Sequence, residues 1–198
     1  MNFLAHAYLS FGHQEILTGN MISDFVKGRQ QYDYPPLIHK GIVLHRMIDN
    51  FTDNHEAIAE AKEVFKKEYR LYSGAFVDVA FDYFLANDEN EFTDKSLFEF
   101  SFQTYQSLAK FEEIMPERFR KMLFYMRSQN WLYNYLTHDG IHQSFGGLVR
   151  RSKYLENSEP AIRIFEEHFE FLNRYYNRFW EDLKPFAKNK FNELLNEK

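Results

Sequence analysis

Cysteine is absent from the sequence. Disulfides, thiolate metal sites and cysteine nucleophiles are therefore excluded, and any metal must be held by His, Asp, Glu, amide oxygen or water. Glycine and proline are scarce, 8 and 5 in a chain of 198 residues, so helix breakers are few. No apolar run approaches the ~18–20 residues that span a bilayer. Positive charge is not in excess either. The formal net charge of −5 argues against whole-protein affinity for nucleic acid and leaves room only for a local basic patch. The opening "MNFLAHAYLSF" is apolar but short, lacks a basic n-region and contains a histidine, so it does not read as a signal peptide. The expectation is a cytoplasmic chain with neither a nucleic-acid nor a membrane partner. Gly-rich phosphate loops, H-E-x-x-H and G-x-S-x-G are missing as well.

Aromatic residues, by contrast, are abundant: they make up 19% of the chain, with 22 phenylalanines. That many rings argue for a filled core, in one domain that can bury roughly 70% of its extended-chain surface. Apolar residues recur at three- and four-residue spacing almost throughout, and the expected fold is all-α, a single-domain bundle of about eight helices. Helices are expected at about 2–10, 13–27 (stopped by Gly28), 37–51, 54–69, 73–87 and 95–110. A further helical stretch at 116–137 has a break near Asn130 and is closed by "HDG" (138–140). The last two run over about 141–154 and from Ser158–Pro160 towards the C-terminus, with a kink at Pro185. Thr52 or Asp53 is the expected cap of the fourth, and Thr93 or Asp94 of the sixth.

The segment "GAFVDVAFDYFLA" (74–86) is apolar nearly all round, which marks a buried helix, yet it carries Asp78 and Asp82 one turn apart. Unpaired buried carboxylates cost several kcal/mol unless they are paired, protonated or bound to a metal. Two readings follow: salt bridges to arginines of neighbouring helices, or metal ligation and acid–base work. In "GIVLHRMIDNFTD" (41–53), His45 and Asp49 are i,i+4 neighbours beside the apolar stripe of Val43, Leu44, Met47, Ile48 and Phe51. They form either a local pair on a solvated edge or half of a cation site. Asp24, in "GNMISDFVKG", is expected in the last turn of its helix, where its charge opposes the helix dipole. His6 is the one strongly polar side chain between Phe3 and Leu9, compatible with a hydrogen-bonded core residue or a functional one. "RRSKY" (150–154) and "ERFRK" (117–121) are basic clusters, read as solvated faces unless an acidic partner meets them.

Taken in order, "MNFLAHAYLSF", "TGNMISDFVKG", "GIVLHRMIDNFTDNH" and "DVAFDYFLA" resemble the successive signature blocks of acyl carrier protein phosphodiesterases, a family regarded as divergent relatives of the HD-domain metal-dependent phosphohydrolases. The resemblance is dense over roughly residues 1–87, with "NWLYNY" (130–135) a later echo. It implies an HD-domain-like helical fold, a divalent metal (Mn²⁺ or Mg²⁺) and an acidic acyl carrier protein as substrate. The implied reaction is hydrolysis of the phosphodiester joining 4′-phosphopantetheine to the carrier's serine. By motif, Asp24 belongs to the "DF.KG" block, His45, Arg46 and Asp49 to the "HR.ID" block, Asp78 and Asp82 to the "D...D" block, and His6 to the first. The chain departs from the family pattern at Tyr8 and Tyr83, where histidines are common, and at Met47, where a basic residue is.

Combining residues and resemblance, the expected metal ligands are His45, Asp49, Asp78 and Asp82. Asp24 is expected either as a further ligand or as the base that orients water, Arg46 to neutralise the phosphoryl oxygens and His6 to protonate the leaving serine alkoxide. Lys27, Arg29, Arg150 and Arg151 are the expected contacts for the acidic carrier. Two rivals remain: an HD-like phosphohydrolase of a nucleotide or other small phosphodiester, and a non-catalytic helical binding module.

Overall fold

The three- and four-residue apolar spacing is realised as eleven α-helices among the described residues, without a strand. The computed structural model describes residues 2–196. The helices are α1 (Phe3–Tyr8), α2 (Gln14–Ile22), α3 (Pro36–Asn54), α4 (Glu56–Tyr69), α5 (Ser73–Ala86), α6 (Asp94–Ala109), α7 (Glu117–Ser128), α8 (Trp131–Asn134), α9 (His138–Arg151), α10 (Glu159–Glu167) and α11 (Phe169–Asn196). The nine stretches expected from the sequence become eleven helices because two of them divide. Asn130 takes a left-handed backbone, φ 46°, and separates α7 from α8. His168 ends α10 before α11 starts.

Several boundaries differ from expectation for local reasons. Helix α2 stops at Ile22, and Asp24 lies on the short 3₁₀ turn Ser23–Phe25 that follows it. The "RQQYDYPP" segment is mostly a 3₁₀ turn, Gly28–Asp33. Helix α3 runs on to Asn54, so Thr52 and Asp53 lie inside it, and the His55 imidazole caps α4 by accepting from the Ala57 N–H. Thr93 caps α6 as expected, with its hydroxyl accepting from Ser96 N. "HDG" opens α9 rather than closing the preceding helix, because Thr137 caps it there. Helix α11 continues through Pro185.

Helix α5 is the axis of the fold. Phe76, Val77, Val79, Ala80, Phe81 and Leu85 are completely buried, and the helix packs on α1, α4, α9 and α11. Each large apolar side chain removed from water contributes about 1.5–3 kcal/mol. The tightest helix pair is α2 with α3. A Cβ on Gly19 would stand 1.9 Å from the Ile38 carbonyl oxygen, and one on Gly41 2.3 Å from that of Ile16. Only hydrogen fits at either position, so the two backbones touch. This contact brings Asn20 and Asp24 against the face of α3 that carries His45 and Asp49.

Candidate active site

Four segments meet at one polar cluster. Helix α1 supplies His6, α2 supplies Asn20, the turn after it supplies Asp24, and α3 supplies His45 and Asp49. The two imidazoles are buried, with side chains 5% and 7% exposed, and they stack with ring centroids 4.0 Å apart.

Asn20 sets their orientation. It is completely buried, and its side-chain nitrogen donates to the His6 carbonyl at 2.9 Å and to Ser10 Oγ at 3.1 Å. That leaves Oδ1 as the acceptor facing His6 Nδ1 at 2.8 Å and His45 Nδ1 at 3.2 Å. Both Nδ1 atoms must therefore carry hydrogen. Both Nε2 atoms then point the other way. His6 Nε2 lies 3.3 Å from Asp49 Oδ1, and His45 Nε2 lies 3.0 Å from Asp49 Oδ2 and 3.2 Å from Asp24 Oδ1.

The electrostatics match this geometry. Burial disfavours a charge on His45, but hydrogen bonds and attraction from Asp24 and Asp49 outweigh it and hold its pKa up to about 9. Burial and the adjacent His45 lower His6, against the pull of Asp49. For Asp49, burial is overcome chiefly by the hydrogen bond from His45, and its carboxyl falls well below the ordinary range. The hydrogen bond from His45 lowers Asp24. A neutral His6, a proton on His45 and two carboxylates thus share one small volume, and the proton sits where a cation would.

The donor set suits a divalent ion. His6, His45 and Asp49 each offer a ligand atom within 4.8 Å of the others. Imidazole nitrogens of fixed tautomer and a carboxylate are donor types that borderline divalent cations take. A cavity of about 240 Å³ opens over it, lined by His6, Asp24, His45, Asp49, Thr52, Asp53 and Asp78.

Of the residues singled out from sequence, the fold brings His6, Asp24, His45 and Asp49 into contact and puts Asp78 on the cavity wall. Asp78 is half-buried rather than fully enclosed. Asp82 goes elsewhere. Completely buried, it accepts backbone N–H groups from Asn2 at 3.2 Å, Leu4 at 2.7 Å and Ala5 at 3.3 Å. It satisfies the free amides that begin α1, and burial pushes its carboxyl up to about 7 against their pull. The expectation that Asp82 sits in the metal shell is corrected for that reason.

Arg46 is corrected too. It is exposed, and its guanidinium donates to Gln31 Oε1 at 2.6 Å and to the Val26 carbonyl at 3.3 Å, tying down the Gly28–Asp33 turn. Lys27 and Arg29 are exposed and line none of the cavities near the cluster. Arg150 and Arg151 close α9, and Arg151 reaches the wall of a groove that also holds Asp24 and Asp78. Arg118 and Lys121, from the cluster read as a solvated face, line the same groove. Tyr8, at a position where the family often has histidine, donates to Glu91 at 2.5 Å, and Tyr83 lies 3.4 Å from His138 Nε2.

Asn20 is the residue that sequence reasoning missed. A neutral amide within "LTGNMISD" carries no charge penalty to draw attention. Its one signal is that a polar side chain interrupts the apolar run between Gly19 and Met21.

Comparison with known proteins agrees with the sequence blocks and extends them. The sequence model described as "Acyl carrier protein phosphodiesterase" matches residues 1–183, well past the block-rich first 87. An acyl carrier protein phosphodiesterase of Klebsiella pneumoniae subsp. pneumoniae is 33% identical over 191 residues, covering 96% of this chain and 99% of the relative. The protein of that name from an Enterobacter species is 32% identical over the same share. One from Escherichia coli O6:H1 is 32% identical over 182 residues, 91% of this chain and 93% of the relative. No solved structure matches. The chain belongs to the acyl carrier protein phosphodiesterase family.

Proposed function

We propose that this chain is a cytoplasmic, metal-dependent hydrolase that cleaves the phosphodiester between 4′-phosphopantetheine and the serine of holo-acyl carrier protein. Family membership supports the substrate, since the relatives carry that activity in their names. The observation that carries the chemistry is the shared Asn20 oxygen, which turns both Nε2 atoms towards Asp49. In this reading His6 Nε2, His45 Nε2 and the Asp49 carboxylate would hold the ion, Mn²⁺ or Mg²⁺.

Such an ion, when bound, would supply the acidification of a water and the polarisation of a phosphoryl oxygen. Asp24, more than half exposed, accepts a hydrogen bond from the attacking water and orients it. Water oxygen bonds to phosphorus and gives up one proton, the bond from phosphorus to the serine oxygen breaks, and that oxygen takes up a proton, so none is gained or lost overall. The products are a serine hydroxyl and a phosphomonoester. Arg151, Arg118 and Lys121 supply positive charge beside the phosphoryl oxygens, a role assigned from sequence to Arg46. His6 serves as a ligand rather than an acid, because its lowered pKa keeps it neutral at pH 7.

The test is mass-resolved conversion of holo- to apo-acyl carrier protein with added Mn²⁺ and with chelator. Loss of the phosphopantetheine mass in Mn²⁺ but not in chelator is expected. Persistence of the holo mass under all conditions, while small phosphodiesters are cleaved, transfers the site to another substrate. Conversion indifferent to chelator removes the metal from the account.

A further inference from the structure

Three hollows lie in series on one face. The cavity over the His–Asp cluster shares Asp24 and Asp78 with a groove of about 530 Å³. That groove in turn shares Asn2, Phe3, Trp131 and Arg151 with a third hollow, about 240 Å³, between α8 and α9. The cluster accounts for the first alone. The groove is of the size that small ligands fill, and the third hollow extends it.

The third hollow is lined by uncharged hydrogen-bonding groups rather than carboxylates: Gln129, Asn134, Gln143 and Ser144, with Arg150 and Arg151 at its rim and the Phe3 and Trp131 rings along one side. Several of these groups keep unused capacity. Gln129 Oε1 accepts from the Trp131 indole and Asn134 Nδ2 donates to the Gln129 carbonyl, which leaves Gln129 Nε2 and Asn134 Oδ1 available. Neither Arg150 nor Arg151 has an acidic partner among the ion pairs of the described residues, and burial together with Arg150 draws Arg151 below its ordinary pKa. A guanidinium in that position favours an anion.

We propose that the hollow between α8 and α9 receives the pantetheine arm of the substrate, with Arg151 holding the phosphodiester in the groove that shares Asp24 and Asp78 with the cavity over the His–Asp cluster. The inference rests on the carrier-protein reading above. The arm is a chain of two amides, a hydroxyl and a dimethyl carbon, and it needs amide partners alternating with apolar contact. Gln129, Asn134 and Gln143 offer the first, and Phe3 and Trp131 the second. The phosphate joins the arm to the serine. An arm in this hollow with its phosphate at Arg151 therefore leaves the serine, and the carrier protein behind it, on the open side where Asp24 stands.

Isothermal titration with free pantetheine, which has the arm without the phosphate, tests this on the wild type, Gly147→Leu and Gln143→Leu. A Cβ on Gly147 meets nothing closer than Arg150 at 3.8 Å, so the new side chain fits the helix and fills the hollow. Gln143 is exposed and its replacement leaves the core untouched; circular dichroism verifies both folds. Saturable binding to the wild type is expected, weakened at least tenfold in each variant. Binding that both variants keep within twofold, or none to the wild type at millimolar pantetheine, overturns the inference. Holo-carrier conversion, measured alongside, separates the two readings. Pantetheine that binds as expected while the holo mass persists keeps the hollow and removes the reaction. Conversion without pantetheine binding keeps the reaction and removes the hollow.

Discussion

The imidazoles of His6 and His45 stack with planes 20° apart, and both face the same Asn20 oxygen. One buried amide thus orients two rings from different helices. Replacing it with a similar-sized apolar residue, Asn20→Leu, leaves both Nδ1–H groups and the His6 carbonyl without this partner. The expected cost is about 2–3 kcal/mol of stability and roughly 10- to 100-fold in Mn²⁺ affinity. Urea unfolding and calorimetric titration read the two separately, and unchanged Mn²⁺ affinity contradicts the orienting role.

Asp82 and Asp78 are expected to part company on mutation. Asp82→Ala strips three backbone N–H groups of their acceptor, two of them buried, and costs about 3 kcal/mol in urea unfolding. Asp78→Asn, at a half-buried cavity wall, changes stability by less than about 1 kcal/mol and lowers holo-carrier conversion. Equal destabilisation by both would return them to a single structural role.

The α2–α3 contact gives a sharper structural prediction. Gly41→Ala places a methyl group 2.3 Å from the Ile16 carbonyl oxygen, so the helices must separate. A loss of about 3 kcal/mol is expected, together with weakened Mn²⁺ binding, because Asn20 and His45 sit on opposite sides of that contact. A variant as stable as the wild type refutes the close approach.

Metal affinity should rise with pH. The metal-free site holds a proton on His45, whose pKa is raised to about 9, and an ion must displace it. Below about pH 9 each unit of acidification therefore weakens Mn²⁺ binding by roughly tenfold, and the dependence flattens above it. Titrations in buffers of different ionisation enthalpy should show about one proton released per ion near pH 7. A flat profile from pH 6 to 8 contradicts this.

The helices were legible because the apolar period is regular and the breaks carry their usual residues: Thr93 as a cap, Asn130 in a left-handed turn. The His45–Asp49 pair was legible for the same reason, since i,i+4 spacing is local. Asp78 and Asp82 share that spacing, but periodicity states only that they share a stripe, not what each end of the stripe meets. One end meets the start of α1 and the other the cavity. His6 looked isolated because its partners lie on α2 and α3. Arg46 looked catalytic through its neighbours in sequence, whereas a helix turns adjacent residues about 100° apart, and it faces the Gly28–Asp33 turn instead.

The most direct measurement compares Asp49→Asn with the wild type in the holo-carrier mass assay, in saturating Mn²⁺ and with the fold of the variant verified. Asp49 faces both imidazoles and carries no cap or core role. The account predicts at least a hundredfold slower loss of phosphopantetheine in a folded variant. An Asp49→Asn chain that converts holo-carrier at the wild-type rate contradicts it.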